Sequence, residues 1–119
     1  MPKPTGGMAP GVQRLSHKRD FDRLQRVGRT YRGRFLSLRL GRNREGVVRV
    51  GFAIAKRLGK AVERNRLRRR LREAVRLSPV APGWDILVIA REDAVHQGYH
   101  TLKAELEGLL RQAGALQGG

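Results

Sequence analysis

Apolar residues recur along the chain in distinct rhythms, and each rhythm predicts a kind of element. Phe21, Leu24 and Val27 stand three apart, between Ser16, a good N-cap, and Gly28, a natural stop. That spacing predicts a short helix from after Ser16 to Val27. From Arg34 to Leu40 the pattern alternates, with Leu36, Leu38 and Leu40 on one face and Phe35, Ser37 and Arg39 on the other. A turn cluster follows at Arg42–Gly46. Beyond it Val48, Val50, Phe52 and Ile54 share a face, and the small Gly51, Ala53 and Ala55 occupy much of the opposite one. The two runs read as an antiparallel hairpin. Trp84–Ala90 is almost continuously apolar, which predicts a strand buried on both faces at the centre of a sheet.

The remaining rhythms are helical. A loop, Lys56–Lys60, leads into a helix from about Val62 to Arg76, which Ser78–Gly83 breaks. With Leu67 at zero and about 100° per residue, Leu71, Ala74 and Val75 fall on one narrow apolar stripe. A last helix, about Gly98 to Gln112, carries Tyr99, Leu102, Leu106, Leu109, Leu110 and Ala113 at helical spacing. The order is α-β-β-(β)-α-β-α, and 28–33 has room for additional short strands. This is an α+β fold, a small central sheet of about four strands packed with helices. Residues 1–13 read as a flexible N-terminal tail, 14–113 as a single domain and 114–119 as a frayed C-terminus.

Composition narrows the functional classes. The chain has 119 residues and no cysteine, so it holds no disulfide framework, thiolate nucleophile or Cys-ligated metal. Its longest apolar run is Ile86–Ala90, and residues 1–7 lack the apolar core of a signal peptide. A cytoplasmic protein with no membrane partner is the expectation. The net charge of +16 is unevenly placed. Residues 1–55 carry +10, residues 56–76 carry +8, and residues 77–119 carry −2. Of the 26 basic residues, 21 are Arg, whose planar fork binds phosphate bidentately and stacks on bases. Around the helix at 62–76, Asn65, Arg66, Arg68, Arg69, Arg70, Arg72 and Arg76 occupy nearly the whole side opposite the apolar stripe. Solvated helix faces normally mix signs. Here only Glu63 and Glu73 oppose the bases, so the face asks for a polyanion, and nucleic-acid phosphate is the natural one.

The segment Lys56-Arg-Leu-Gly-Lys-Ala-Val-Glu-Arg-Asn-Arg-Leu-Arg-Arg-Arg-Leu-Arg-Glu73 resembles the signature of the bacterial ribonuclease P protein subunit. Arg64-Asn65-Arg66 matches the core of that signature. Leu15–Gly28 with Asp20-Phe21, Val50-Gly51, and Asp85–Arg91 also fit, so the resemblance spans residues 14 to 112. It implies a basic protein cofactor of a catalytic RNA, which together remove the 5′ leader of precursor tRNA. The RNA and its Mg²⁺ ions, held mainly by the RNA, carry the chemistry; no protein side chain is catalytic or a metal ligand. It implies a left-handed β-α-β crossover, where general rules favour a right-handed one. The implied partners are the RNA subunit and the precursor's leader, with one protein monomer per RNA. Lys56, Arg57, Lys60, Arg64, Asn65, Arg66, Arg68, Arg69 and Arg72 fall on the RNA-binding positions. A cleft between first helix, sheet and basic helix would hold the leader, with Phe21, Gln25, Leu38, Phe52 and Ile54 as its candidate lining. Gln25 and Leu38 stand where the family often carries aromatics.

Two other classes compete on residues alone. A protein nuclease needs clustered carboxylates or His to hold a metal; the candidates are Asp20 and Asp22, and Glu92 and Asp93 with His96 and His100. That set lacks the glutamate and third ligand of a recognised metal motif. A non-catalytic, ribosomal-protein-like RNA binder matches the composition equally well, and only the 56–73 segment separates it from the first reading. DNA binding would call for a helix-turn-helix or dimer motif, and neither occurs.

Overall fold

The computed structural model describes residues 12–118. Five strands, β1 (Val12–Arg14), β2 (Arg29–Arg32), β3 (Leu36–Arg42), β4 (Val48–Ala53) and β5 (Trp84–Ala90), form one sheet in the order β1-β4-β5-β3-β2. Three helices, α1 (Lys18–Val27), α2 (Ala61–Arg76) and α3 (Tyr99–Gln112), complete the fold. The short strand expected within 28–33 is β2, antiparallel to β3.

β5 takes the centre, parallel to β4 and antiparallel to β3. That position corrects the hairpin reading, because β3 and β4 do not pair. β5 has no polar face to give to solvent, so it is driven between them. The 43–47 connection then passes the end of β5, where Asn43 N–H donates to Gly83 O at 2.8 Å and Gly83 N–H to Val47 O at 2.9 Å. Gly83 makes this close passage in the left-handed region, at φ 91°.

The two faces of the sheet are covered unequally. On one, Leu36, Leu38, Leu40, Val48, Val50, Ile86 and Val88 pack against Leu67, Leu71, Ala74 and Val75 of α2 and Leu102, Leu106, Leu109 and Leu110 of α3. The apolar stripe expected on α2 is thus its buried face. On the other, α1 covers only part of the sheet, and Leu15, Leu24 and Leu87 form a small second cluster with Phe21, Ala53 and Ile89 beside it. Val27, expected on the buried side of α1, is 56% exposed at the helix end.

Both domain boundaries move outward. The tail reading for 1–13 holds two residues of a strand, since Val12, Gln13 and Arg14 pair in parallel with Val48, Arg49 and Val50. An edge strand needs backbone partners more than apolar periodicity, so the pattern did not mark it. The rest of that tail lies outside the described residues. The end expected to fray is fastened as well. Gly114 turns the chain back at φ 72°, Ala115 is fully buried, Leu116 bridges Val80, and Gln117 N–H donates to Pro79 O at 2.7 Å.

Candidate nucleic-acid interface

Strand register decides which side chains the half-covered face presents. Thr30 aligns with Arg39, Arg39 with Leu87, and Leu87 with Gly51. The next row on that face is Arg32, Ser37, Ile89 and Ala53. α1 lies over the Leu87–Gly51 end of the first row, where the Phe21 ring comes within 3.4 Å of the place a Gly51 Cβ would take. A methyl group at 51 would rest on that ring in ordinary contact. The helix leaves the rest open as a groove of about 530 Å³, lined by Gln25, Thr30, Arg32, Ser37, Arg39, Arg57, Ile89, Ala90, Arg91 and Glu92. Four guanidinium groups thus surround a floor of small and apolar side chains.

Those guanidinium groups differ in freedom. Arg57 pairs with Glu92 and Arg91 donates to Gly33 O, both pairs exposed at the groove edge. The Arg32 side chain is exposed and has no hydrogen-bond partner among the described residues. Arg39 is the fixed one: Nε donates to Leu24 O at 2.8 Å, Nη2 to Gln25 O at 2.6 Å and Nη1 to the Thr30 hydroxyl at 2.7 Å. It caps the carbonyl end of α1, where a cation is favoured by the helix dipole.

A second basic surface begins next to the groove. The 3-10 turn Lys56–Leu58 buries Leu58 and leaves Lys56 and Arg57 outside. At Gly59 the Glu63 carboxylate comes within 2.8 Å of where a Cβ would stand. Glu63 accepts from the Lys60 N–H at 2.8 Å, satisfying a donor left unpaired at the start of α2. Along the helix Lys60, Asn65, Arg66 and Arg69 are exposed, and Arg64, Arg68 and Arg72 are half-exposed. Arg64 braces the turn by donating to Gly59 O at 3.1 Å, and Arg68 donates to the Asn65 carboxamide at 3.1 Å.

The nine residues expected to bind RNA therefore lie on one turn and along α2, with Arg64 folded back onto that turn. The five expected in the cleft do not come together. Phe21 and Gln25 stand on the α1 side, Gln25 in the groove itself. Leu38 is fully buried on the opposite face, and Phe52 and Ile54 pack there against the α2–α3 core. The reason is the period of two: residues 36, 38 and 40 share a face, as do 48, 50, 52 and 54, so all are committed to the main core. The groove uses their neighbours Ser37 and Arg39, with Thr30, Arg32, Ile89 and Arg91, none of which pattern reading singled out as site residues. The polar alternation of β3 was their one visible signal.

The acidic candidates have other occupations. Asp20 receives Arg49, Asp22 receives Lys18 and Glu92 receives Arg57. Among the described residues no three His, Asp or Glu side chains gather. No helix among them is long and apolar enough to cross a membrane.

An Arg-rich helix beside a basic, single-sided sheet groove defines a small α+β RNA-binding protein. Comparison with known proteins makes this specific. Residues 9–114 match the family model described as Ribonuclease P. The ribonuclease P protein component of Roseiflexus castenholzii is 46% identical over 108 residues, covering 88% of each chain. That of Chloroflexus aggregans is 42% identical over 105 residues, covering 86% of this chain and 78% of the relative. Among solved structures, the Staphylococcus aureus RNase P protein superposes with a TM-score of 0.77 at 31% identity, covering 87% of this chain and 97% of that one. The Thermotoga maritima protein gives 0.76 at 27%, covering 84% and 96%. The chain belongs to the ribonuclease P protein family: it is a protein component of the ribonucleoprotein that processes precursor-tRNA 5′ leaders, with RNA-based chemistry.

Proposed function

We propose a division of labour between the two basic surfaces. The outer face of α2, with Lys56, Lys60, Arg64, Asn65, Arg66, Arg68, Arg69 and Arg72, docks on the RNA subunit. The groove beside α1 receives the single-stranded 5′ leader of precursor tRNA, with Arg57 at the junction. The observation that carries this reading is the groove beside α1, where Thr30, Arg32, Ser37 and Ile89 of three neighbouring strands meet and Arg39, Arg57 and Arg91 add further guanidinium groups. Its floor is shallow and its rim cationic, which suits an extended strand with bases inward and phosphates at the edge.

In this reading Mg²⁺ is held by RNA phosphates, one protein serves one RNA subunit, and the chemistry occurs in the cytoplasm. The protein's own work is electrostatic and positional. It neutralises phosphates that would otherwise repel in the assembly, and it holds the leader so that the scissile phosphodiester is presented to the RNA.

Reconstitution tests the division. The chain, its cognate RNA and precursor tRNA are mixed at low Mg²⁺ and leader removal is followed. Arg66→Ala with Arg69→Ala should weaken assembly with the RNA for every substrate. Arg32→Ala should spare assembly and weaken only substrates that carry a leader. If Arg32→Ala weakens mature tRNA and precursor alike, the groove is not the leader site.

A further inference from the structure

Four arginines line the groove, and Arg39 is the one least suited to gripping phosphate. Its Nε, Nη1 and Nη2 each already donate to a protein oxygen, at 2.8, 2.7 and 2.6 Å. Three of its five N–H donors are used, along more than one edge of the fork. The acceptors are two α1 carbonyls and a β2 hydroxyl, all fixed to the framework. What Arg39 still has to offer the groove it lines is its charge, two N–H donors and the flat faces of its guanidinium. Gln25 on the α1 side and Ser37 and Ile89 on the sheet line the same groove as Arg39.

The geometry points to a stacking role: the Arg39 guanidinium is the plate on which one leader base lies flat. This rests on the reading of the groove as the leader site and goes further by naming what the site recognises. Guanidinium planes are established stacking partners for unpaired bases. Arg39 is ordered by its hydrogen bonds before any ligand arrives, so stacking costs little further side-chain entropy. No aromatic side chain among the described residues lines the groove, and Arg39 is held there by three framework oxygens where Arg91 is held by one. A plate of this kind requires a planar base and tolerates any of them, because every base has a π-face. Arg39 thereby sets specificity for single-stranded leader without setting a sequence.

The test couples one protein side chain to one base. Holoenzyme reconstituted with its cognate RNA is titrated with precursor tRNAs that each carry one abasic site in the leader. One position should weaken binding by about 5-fold or more, the lower end of base stacking, whereas exchanging that base among A, C, G and U should change it less than about 2-fold by the same reasoning. With Arg39→Lys, which keeps the charge and loses the plane, the abasic penalty at that position should vanish. If the penalty persists in Arg39→Lys, Arg39 only anchors α1 and the proposal fails. If no abasic site matters even with the unaltered protein, the leader reading itself fails.

A second measurement needs no substitution. In the full-length chain, adding a short single-stranded leader oligonucleotide should move the Arg39 Nε–H resonance upfield, as a base ring current requires. An abasic oligonucleotide of the same length should not. Shifts at Ser37 and Ile89 with Arg39 unmoved would show the groove occupied and the plate unused, and would overturn the proposal.

Discussion

The Arg49 guanidinium clasps Asp85 on the neighbouring strand, Nε to Oδ1 at 2.7 Å and Nη2 to Oδ2 at 2.9 Å. The two residues are in direct register between β4 and β5. Their side chains are only 14% and 4% exposed. Asn43 adds a hydrogen bond to Asp85 at 2.8 Å, and Arg49 reaches Asp20 on α1 at 3.2 Å. One cluster thus ties helix, 43–47 connection and central strands together at the end of the sheet. Hydrogen bonding to Asp85 raises the Arg49 pKa further, against the opposing effect of burial, so this guanidinium stays charged. Removing one partner of such a pair strands the other. Asp85→Ala should cost about 3 kcal/mol by urea unfolding. The double variant Arg49→Met, Asp85→Leu should be less destabilised than Asp85→Ala; an equal or larger loss would show that the charges contribute more than their desolvation takes away.

Glu105 on α3 holds the turn between β2 and β3. Its carboxylate accepts from three successive backbone N–H groups, of Arg34 at 2.9 Å, Phe35 at 2.7 Å and Leu36 at 2.6 Å. A Cβ on Gly33 would stand 2.7 Å from that carboxylate, so a side chain there would push Glu105 off its three donors. Glu105→Ala leaves partly buried donors without partners and should cost about 2 kcal/mol. Hydrogen exchange at the 34–36 amides should accelerate more than at the centre of β5. Uniform acceleration over the whole sheet would contradict this local role.

Pattern reading reached the elements that bury one clear stripe. It placed α2 within a residue, identified Leu67, Leu71, Ala74 and Val75 as its buried side, and put β5 at the centre. It failed where the answer depended on what covers a face. Alternation showed that Leu38 sits with Leu36 and Leu40, but not that α2 and α3 lie over them. Ser37 and Arg39 looked like an ordinary solvated strand face. They become a groove only because α1 crosses part of the same face and stops at Gly28. The hairpin error has the same origin: sequence neighbours usually pair, and only the two-sided apolarity of β5 displaces them. Glu105 was illegible because its partners are backbone amides about 70 residues away, a contact with no side-chain signature.

Glu107 predicts a specific acid response. Its carboxylate accepts from Lys103 at 2.6 Å and lies 2.8 Å from the Ser78 hydroxyl just beyond α2. Those hydrogen bonds, Lys103 first and Ser78 second, hold its pKa below the ordinary 4.5, against the upward push of burial. A carboxyl with a depressed folded pKa binds protons more tightly when unfolded. Its contribution to stability is therefore complete above 4.5 and is lost as pH falls through the lower folded value. Glu107→Gln should be less stable than the parent at neutral pH, and the gap should close as pH falls below that range. Urea midpoints recorded from neutral pH downward read this directly; a gap independent of pH would refute the assignment.

Adjacent arginines on α2 should behave oppositely. Arg69 is exposed and has no hydrogen-bond partner among the described residues, whereas Arg70 donates to Gln97 O at 2.7 Å and is half-buried. The helix turns by about 100° between them, so one faces solvent while the other closes α2 against the 94–97 turn. Arg69→Ala should lower the slope of log affinity for the RNA against log salt by about one, as the loss of one phosphate contact does. Folding stability should be unchanged within about 0.5 kcal/mol, as for surface substitutions generally. Arg70→Ala should do the reverse, keeping the salt slope and costing about 1 kcal/mol of stability for the lost hydrogen bond. Salt titrations paired with unfolding curves separate the two effects. Equal slopes for both variants would mean that position on the helix wheel does not determine which arginines meet phosphate.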